Sequence, residues 1–367
     1  MYVMESAPGA KTIVNGKKVD YFCGCGYFAL QGHPELIKAA CEAAKKYGIA
    51  STTSRSGYGN NPVLLDVEKK AAEFFQVESV LYFVSGYVGN IILLQGLADQ
   101  YDIVFTDQES HYSVKDGVAI VNKPAVVFGH LDPEDLRKKL RKHIKPRQRP
   151  LLICDGIFAM TGALAPTPEY LEILQQYEPF LLCVDDAHAV GVVGEKGTGT
   201  FEHFGLTNDR LYSCGTLSKA MGGHGGIIPG KAEFIETLKQ NSNIFYSSSG
   251  TPTPSAAATA KALEIVMNDP SLRRKLWGNV AYAKKRFSEI GFDLGDSPVP
   301  ILCLHSADGV DFKTIQKNLW EKDIAVFYIA PGSYTGAPEG GSLRIAINAA
   351  HSHEQIDRLV NETGALL

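Results

Sequence analysis

Apolar positions along the first 75 residues fall into two rhythms. The short runs TIV and VDYF flank Asn15-Gly16 and predict a hairpin across Lys11–Phe22, since Asn-Gly suits the left-handed positions of a two-residue turn. Gly24–Gly32 is glycine-rich and reads as a loop. His33-Pro34 opens an amphipathic helix to about Tyr47, and a second helix is expected over about Val63–Phe75. From Ser79 the rhythm changes. Runs at 80–84, 103–107, 125–129, 150–156, 180–186, 210–215 and 225–230 are short, β-rich and almost continuously apolar, with helical stretches between them. Unbroken apolar runs mark parallel strands covered on both faces. Seven of them interleaved with helices imply a large α/β sheet.

After about Ser255 the texture shifts again. A long helix with small residues, about Pro254–Asn268, is followed by a basic helix (Arg273–Ile290) and the strand VPILCLH. A helix (Phe312–Lys322), the strands AVFYI and LRIAIN, and a final helix (His353–Glu362) complete an α+β pattern. The 367 residues therefore divide into a hairpin and helix over 1–50, a large α/β domain over 51–255, and a smaller α+β domain over 256–367.

Composition narrows the function classes. Against 36 Lys+Arg stand 40 Asp+Glu, a formal charge of −4, so no basic excess attracts nucleic acid or an anionic membrane. No apolar run approaches a membrane span. The seven cysteines are odd in number and mostly sit in apolar runs such as LLICDG and LLCVDD, which reads as free thiols in a reducing, cytoplasmic setting. Cys23-Gly24-Cys25 is too tight for the usual metal spacing, and no metal site is expected.

In open α/β sheets ligands bind beyond the carboxyl ends of the strands, so the residues that follow each strand carry the chemistry. Ser85-Gly86-Tyr87 follows the first run and opens a helix, an arrangement suited to a phosphate and equally to a plain capped turn. Asp185, at the end of the 180–186 run, would be a buried carboxylate in need of a cationic partner; a helix N-cap fits Asp186 better. Lys219, in Gly215-Thr216-Leu217-Ser218-Lys219 and hemmed by glycines, has the confined setting that lowers an amine pKa and permits a Schiff base. A phosphate cradle, a buried acid and such a lysine on one sheet edge are together what pyridoxal 5′-phosphate requires.

The chain resembles the α-oxoamine synthases, a family of fold-type I pyridoxal-phosphate enzymes. The resemblance rests on SGYVGN (85–90), DQESHYSVKDG (107–117), DGIFAMTGALAP (155–166), VDDAHAVGVVGEKGTG (184–199), GTLSKAMGGHGG (215–226) and LRIAINAAHSHEQIDRL (343–359), in the family's order and spacing. It implies that Lys219 tethers the cofactor, Asp185 partners the pyridine nitrogen, His188 lies near the phenolic oxygen and His111 stacks on the ring. Ser85, Gly86 and Tyr87 would form the phosphate loop, helped by Thr216 and Ser218, with Ser247 and Ser248 supplied from a second subunit. Arg344 would pair with the amino-acid carboxylate. Arg55 lies in the segment that reaches a neighbouring site, so a homodimer with shared sites is implied. Cys25 stands in the substrate region where the family carries Asn, and Ala159-Met160-Thr161-Gly162 replaces the family's Ser-Met-Asp-Gly.

The implied function is condensation of an amino acid with an acyl-CoA or acyl-carrier thioester to an α-amino ketone. The competing reading is an aminotransferase on the same scaffold, which the segment 330–335 (APGSYT) favours. A non-catalytic scaffolding subunit has little reason to keep Lys219, Asp185 and His111 together.

Overall fold

The computed structural model describes residues 1–305, 310–332, 337 and 340–367. Residues 333–335 of the aminotransferase-like segment therefore lie outside the described residues.

The hairpin forms as expected. Strands β1 (Lys11–Val14) and β2 (Lys17–Tyr21) pair antiparallel, and both turn residues take positive φ, Asn15 at 49° and Gly16 at 74°. The seven central runs all become strands: β3 (Ser79–Phe83), β4 (Ile103–Asp107), β5 (Ala125–Phe128), β6 (Pro150–Asp155), β7 (Leu181–Asp185), β8 (Leu211–Thr216) and β9 (Gly226–Gly230). They form one sheet in the order β3-β9-β8-β7-β6-β4-β5, in which only β9 runs antiparallel to its neighbours. β3, β4, β6, β7 and β8 consequently point the same way, and their carboxyl ends share one edge.

The apolar runs are continuous because both faces are covered. Leu151 and Ile153 of β6 belong to a cluster with Leu93 and Val114, whereas Leu152 and Cys154 join Phe105, Leu136 and Tyr170 on the opposite face. A third cluster runs from Phe22, Tyr27 and Phe28 through Ala256, Ala260 and Leu263 of the helix Thr253–Asn268 to Ile345 and Leu359. That cluster packs residues from both ends of the chain together, and through Phe22, Tyr27, Phe28 and Leu30 it holds loop 22–30 as a wall beside the strand ends.

The C-terminal strands β10 (Ile301–Leu304), β12 (Phe327–Ile329) and β13 (Ser342–Ala346) form an antiparallel sheet in the order β10-β13-β12. AVFYI, expected as one strand, is divided. β11 (Ile324–Ala325) pairs parallel with β2, while Phe327–Ile329 pairs with β13. Val326 between them is buried, so the chain crosses from one sheet to the other without leaving the core.

Within the single chain, Arg55 is bound to structural partners. Its guanidinium makes a two-pronged pair with Glu68 (2.7 and 3.0 Å) and donates to Asn60 Oδ1 and to the Tyr82 carbonyl. Arg55 is 7% exposed, with few N–H groups left for a substrate. An arginine in a polar, glycine-bearing stretch has the same local sequence whether its partner is a ligand or a glutamate 13 residues on, so this pairing carried no local signal. Removing one member of a buried pair strands the other charge, typically at about 3–5 kcal/mol. Glu68→Ala should therefore lower unfolding stability by about 3 kcal/mol in urea titration, far more than Lys70→Ala, whose pairs are half-exposed.

Candidate active site

Each strand end on the shared edge delivers one part of the site. Ser85 follows β3, and its hydroxyl accepts from the Tyr87 N–H (3.3 Å) at the start of the turn Gly86–Val88. Gly86 lies directly against the end of β8. A Cβ there would stand 2.8 Å from Thr216 Cβ, so only glycine permits this approach. Thr216 donates to the Gly225 carbonyl (2.8 Å), and Ser218 accepts from the Gly225 N–H (3.1 Å). The proposed phosphate loop and its two helpers are thus joined in one cradle. Tyr87 is bonded to Asp116 and meets His111 edge-on, with ring centroids 6.1 Å apart.

Asp185 closes β7 and is buried. One oxygen accepts from Asn90 Nδ2 (2.7 Å) and Ser113 Oγ (3.3 Å), the other from the Ala187 N–H (3.0 Å). All three donors are neutral, and among the described residues no cation lies within ion-pair distance of this carboxylate. Asp186 is spent elsewhere, on the backbone N–H and hydroxyl of Thr200 at the start of a short helix, and burial pushes its carboxyl up to about 7.

His111 follows β4 and caps the helix Tyr112–Ile120. Its Nδ1 lies 2.8 Å from Ser113 Oγ, the hydroxyl that also reaches Asp185. Its backbone N–H donates to Asp155 (2.8 Å) at the end of β6. Burial, reinforced by the nearby Asp185, drives Asp155 well above the usual carboxylate range, and burial draws His111 below 6.5.

The lysine lies on the other side. Lys219 Nζ is 2.8 Å from His188 Nε2, and His188 Nδ1 is 2.7 Å from the Tyr27 hydroxyl. Burial lowers the Lys219 amine from 10.5 and takes His188 well below 6.5. Arg344, buried on β13, gives Nε to the Ala159 carbonyl at 2.7 Å. Its other nitrogens make long contacts of 3.4 Å, to the Cys23 carbonyl and Cys25 Sγ, and the guanidinium also faces the Tyr27 hydroxyl, an arrangement loose enough to give donors to an incoming carboxylate.

The chain thus brings together Ser85, Gly86, Tyr87, His111, Asp185, His188, Thr216, Ser218 and Lys219 along one sheet edge, with Arg344 and Cys25 paired beside them. Ser247 and Ser248 stand apart. They end the short helix Asn243–Ser247, beside the Ser54–Ser249 bridge, and among the described residues no hydrogen bond ties either to the Lys219 cleft. Sequence reasoning missed Asn90, Ser113, Asp155 and Tyr27 as functional positions. Asn90, Ser113 and Asp155 lay inside the stretches that carry the resemblance, but a side chain's aim across 95 residues has no local signal.

The aminotransferase class I and II family model matches residues 26–362. Over 97% of its length the chain is 35% identical to 8-amino-7-oxononanoate synthase of Thermoanaerobacter pseudethanolicus, covering 89% of that protein. The chain belongs to the α-oxoamine synthases, within the aminotransferase class I and II family. Among solved structures, the serine palmitoyltransferase of Sphingomonas wittichii superposes with a TM-score of 0.90 at 26% identity, over 100% of this chain and 91% of that one. A further serine palmitoyltransferase, solved with pyridoxal phosphate, gives a TM-score of 0.90 at 26% identity over 100% of this chain and 92% of its own. The enzyme is a pyridoxal-phosphate-dependent transferase. The residues present fit that group: a glycine cradle for a phosphate, and a buried carboxylate whose neutral donors leave a charge for a protonated heterocycle to balance. Among the described residues no helix is long and apolar enough to cross a membrane.

Asn90 holds the Asp185 carboxylate by a charge-assisted bond, of a kind that contributes about 1.5–3 kcal/mol. Asn90→Ala should weaken pyridoxal-phosphate binding about ten- to hundredfold, read as Kd by absorbance titration of the cofactor-free protein.

Proposed function

We propose that this enzyme joins an amino acid to an acyl thioester, forming an α-amino ketone and releasing a thiol. The observation that carries the reading is Lys219, with its depressed amine pKa, lying 2.8 Å from a neutral histidine on the same sheet edge as the uncompensated Asp185. The relatives' name, 8-amino-7-oxononanoate synthase, and their 35% identity support condensation over other uses of such a site.

When bound, pyridoxal phosphate supplies a cationic ring that accepts the electron pair left as the amino-acid Cα loses its proton. The protein's own groups do the rest. Asp185 would hold the ring nitrogen cationic, the Ser85–Tyr87 turn and Thr216 would seat the phosphate, and His111 would pack beside the ring. Arg344 orients the carboxylate through the donors that its long contacts leave available. Lys219, once free and neutral, removes the Cα proton as general base, a role typically contributing ~10²–10⁴-fold. A bond then forms between Cα and the thioester carbonyl carbon. The carbon–sulfur bond breaks, and the departing thiolate takes up a proton.

A second copy of the chain completes the site in this reading. Ile37, Ile49, Tyr58, Leu65 and Tyr246 are exposed, large and apolar, and three of them flank the segments that hold Arg55 and the Ser247–Ser248 pair. They support a homodimer in which Ser247 and Ser248 reach the partner's phosphate. Seven free cysteines, three of them buried in strands, support a reducing cytoplasmic address.

Purified holoenzyme incubated with a panel of amino acids and acyl-CoA thioesters should release free thiol only when both substrates are present, and Lys219→Ala should release none. Conversion of the cofactor to its amine form by an amino donor alone, with no thiol released, would overturn the reading in favour of an aminotransferase. Because burial favours the neutral amine, kcat should rise with pH through a midpoint below 10.5, the ordinary lysine value.

A further inference from the structure

Tyr27 lies in the wall 22–30, far in sequence from every motif of the cofactor site, and it is 1% exposed. Its backbone is fixed at both ends: its N–H donates to the Cys25 carbonyl (3.0 Å), and its carbonyl accepts from the Ala349 N–H (2.8 Å). The hydroxyl is thereby held 2.7 Å from His188 Nδ1, while the opposite ring nitrogen is 2.8 Å from Lys219 Nζ. From this geometry we infer that Tyr27 is a positioning residue that lets His188 exchange tautomers as Lys219 gains and loses its proton. The inference rests on the reading of Lys219 as the base.

His188 is buried deeply enough to stay neutral, so it offers one N–H and one lone pair. With Lys219 neutral, His188 Nε2–H donates to the amine and Nδ1 accepts from the Tyr27 hydroxyl. With Lys219 protonated, the ammonium donates to a bare Nε2, so the ring N–H must sit on Nδ1, where it donates to the Tyr27 oxygen. The proton gained by Lys219 comes from the substrate Cα; His188 releases its Nε2 proton to water and takes one from water at Nδ1, so His188 and Tyr27 each keep the number they had. A hydroxyl both donates and accepts, so Tyr27 satisfies Nδ1 in both states. Phenylalanine satisfies neither, and the protonated-lysine state suffers more, because it buries an unpartnered N–H rather than an unpartnered lone pair.

That asymmetry gives the test its sign. The titratable and charged groups facing Lys219 are Cys25, Asp155, Asp185, Arg344, His111 and His188, and Cys25 and Arg344 also face the Tyr27 hydroxyl; Tyr27→Phe removes none of these charges, and a fluorinated tyrosine also keeps the hydroxyl that Cys25 and Arg344 face. In the holoenzyme, Tyr27→Phe should move the acidic limb of the kcat–pH profile down by about one unit, a tenfold shift in the amine's proton equilibrium. In the cofactor-free chain, nitrogen-15 NMR of His188 should show the N–H moving from Nδ1 to Nε2 as Lys219 deprotonates. In Tyr27→Phe the same exchange should occur at lower pH. A fluorinated tyrosine at position 27 keeps the shape and makes the hydroxyl a poorer acceptor, so it should shift both midpoints the same way even where Tyr27→Phe fails to fold. Loss of activity with both midpoints unmoved would overturn the inference and leave Tyr27 merely structural. The NMR measurement needs no substrate, so absence of condensing activity in the parent enzyme would count against the proposed reaction and not against the tautomer exchange.

Discussion

A buried carboxylate held by neutral donors organises this protein. Asp185 sits at the end of a fully enclosed strand, and among the described residues its hydrogen-bond donors are all neutral. In the proposed reading a cationic ring completes this arrangement, so the energy of satisfying Asp185 would be available to cofactor binding. Asn90 and Ser113 hold the carboxylate, and Ser113 also fixes His111 above the same site. One buried charge thus sets the positions of two strands' worth of functional groups.

The fold makes such a constraint affordable. Continuous apolar strands packed on both faces give a stiff sheet, and a stiff sheet delivers side chains from five parallel strand ends to one edge. The second apolar layer matters as much. By tying residues 22–30 and β13 to the helix Thr253–Asn268, it sets Tyr27 against His188 and Arg344 against Cys25. Acid–base groups that lie 161 and 31 residues apart then form a single chain from Tyr27 through His188 to Lys219. The low polarity that draws the Lys219 and His188 pKa values down is a product of the same packing.

Much of this was legible beforehand, and the exceptions follow a pattern. The seven central strands, the Asn15-Gly16 hairpin and the helices from Pro34 and Pro62 are local decisions, made by apolar rhythm, turn residues and caps within a few positions. The splitting of AVFYI was not legible, because Ile324–Ala325 and Phe327–Ile329 choose partners some 300 and 15 residues away. Nor was the fate of Arg55, whose neighbours in sequence say nothing of Glu68.

The sequence alone determined which chemistry is present: a lysine among glycines, an acid ending an apolar strand, a small-residue turn for a phosphate, and motifs in the order of the α-oxoamine synthases. Tertiary structure alone decided which groups act together. Asn90 beside Asp185, Tyr27 behind His188 and Cys25 against Arg344 are contacts across long loops, set by sheet order and core packing. The physical reason is one of range. Propensity, capping and periodicity act over one or two turns of chain, whereas the pKa and aim of a buried group depend on whatever the folded core places within a few ångströms of it.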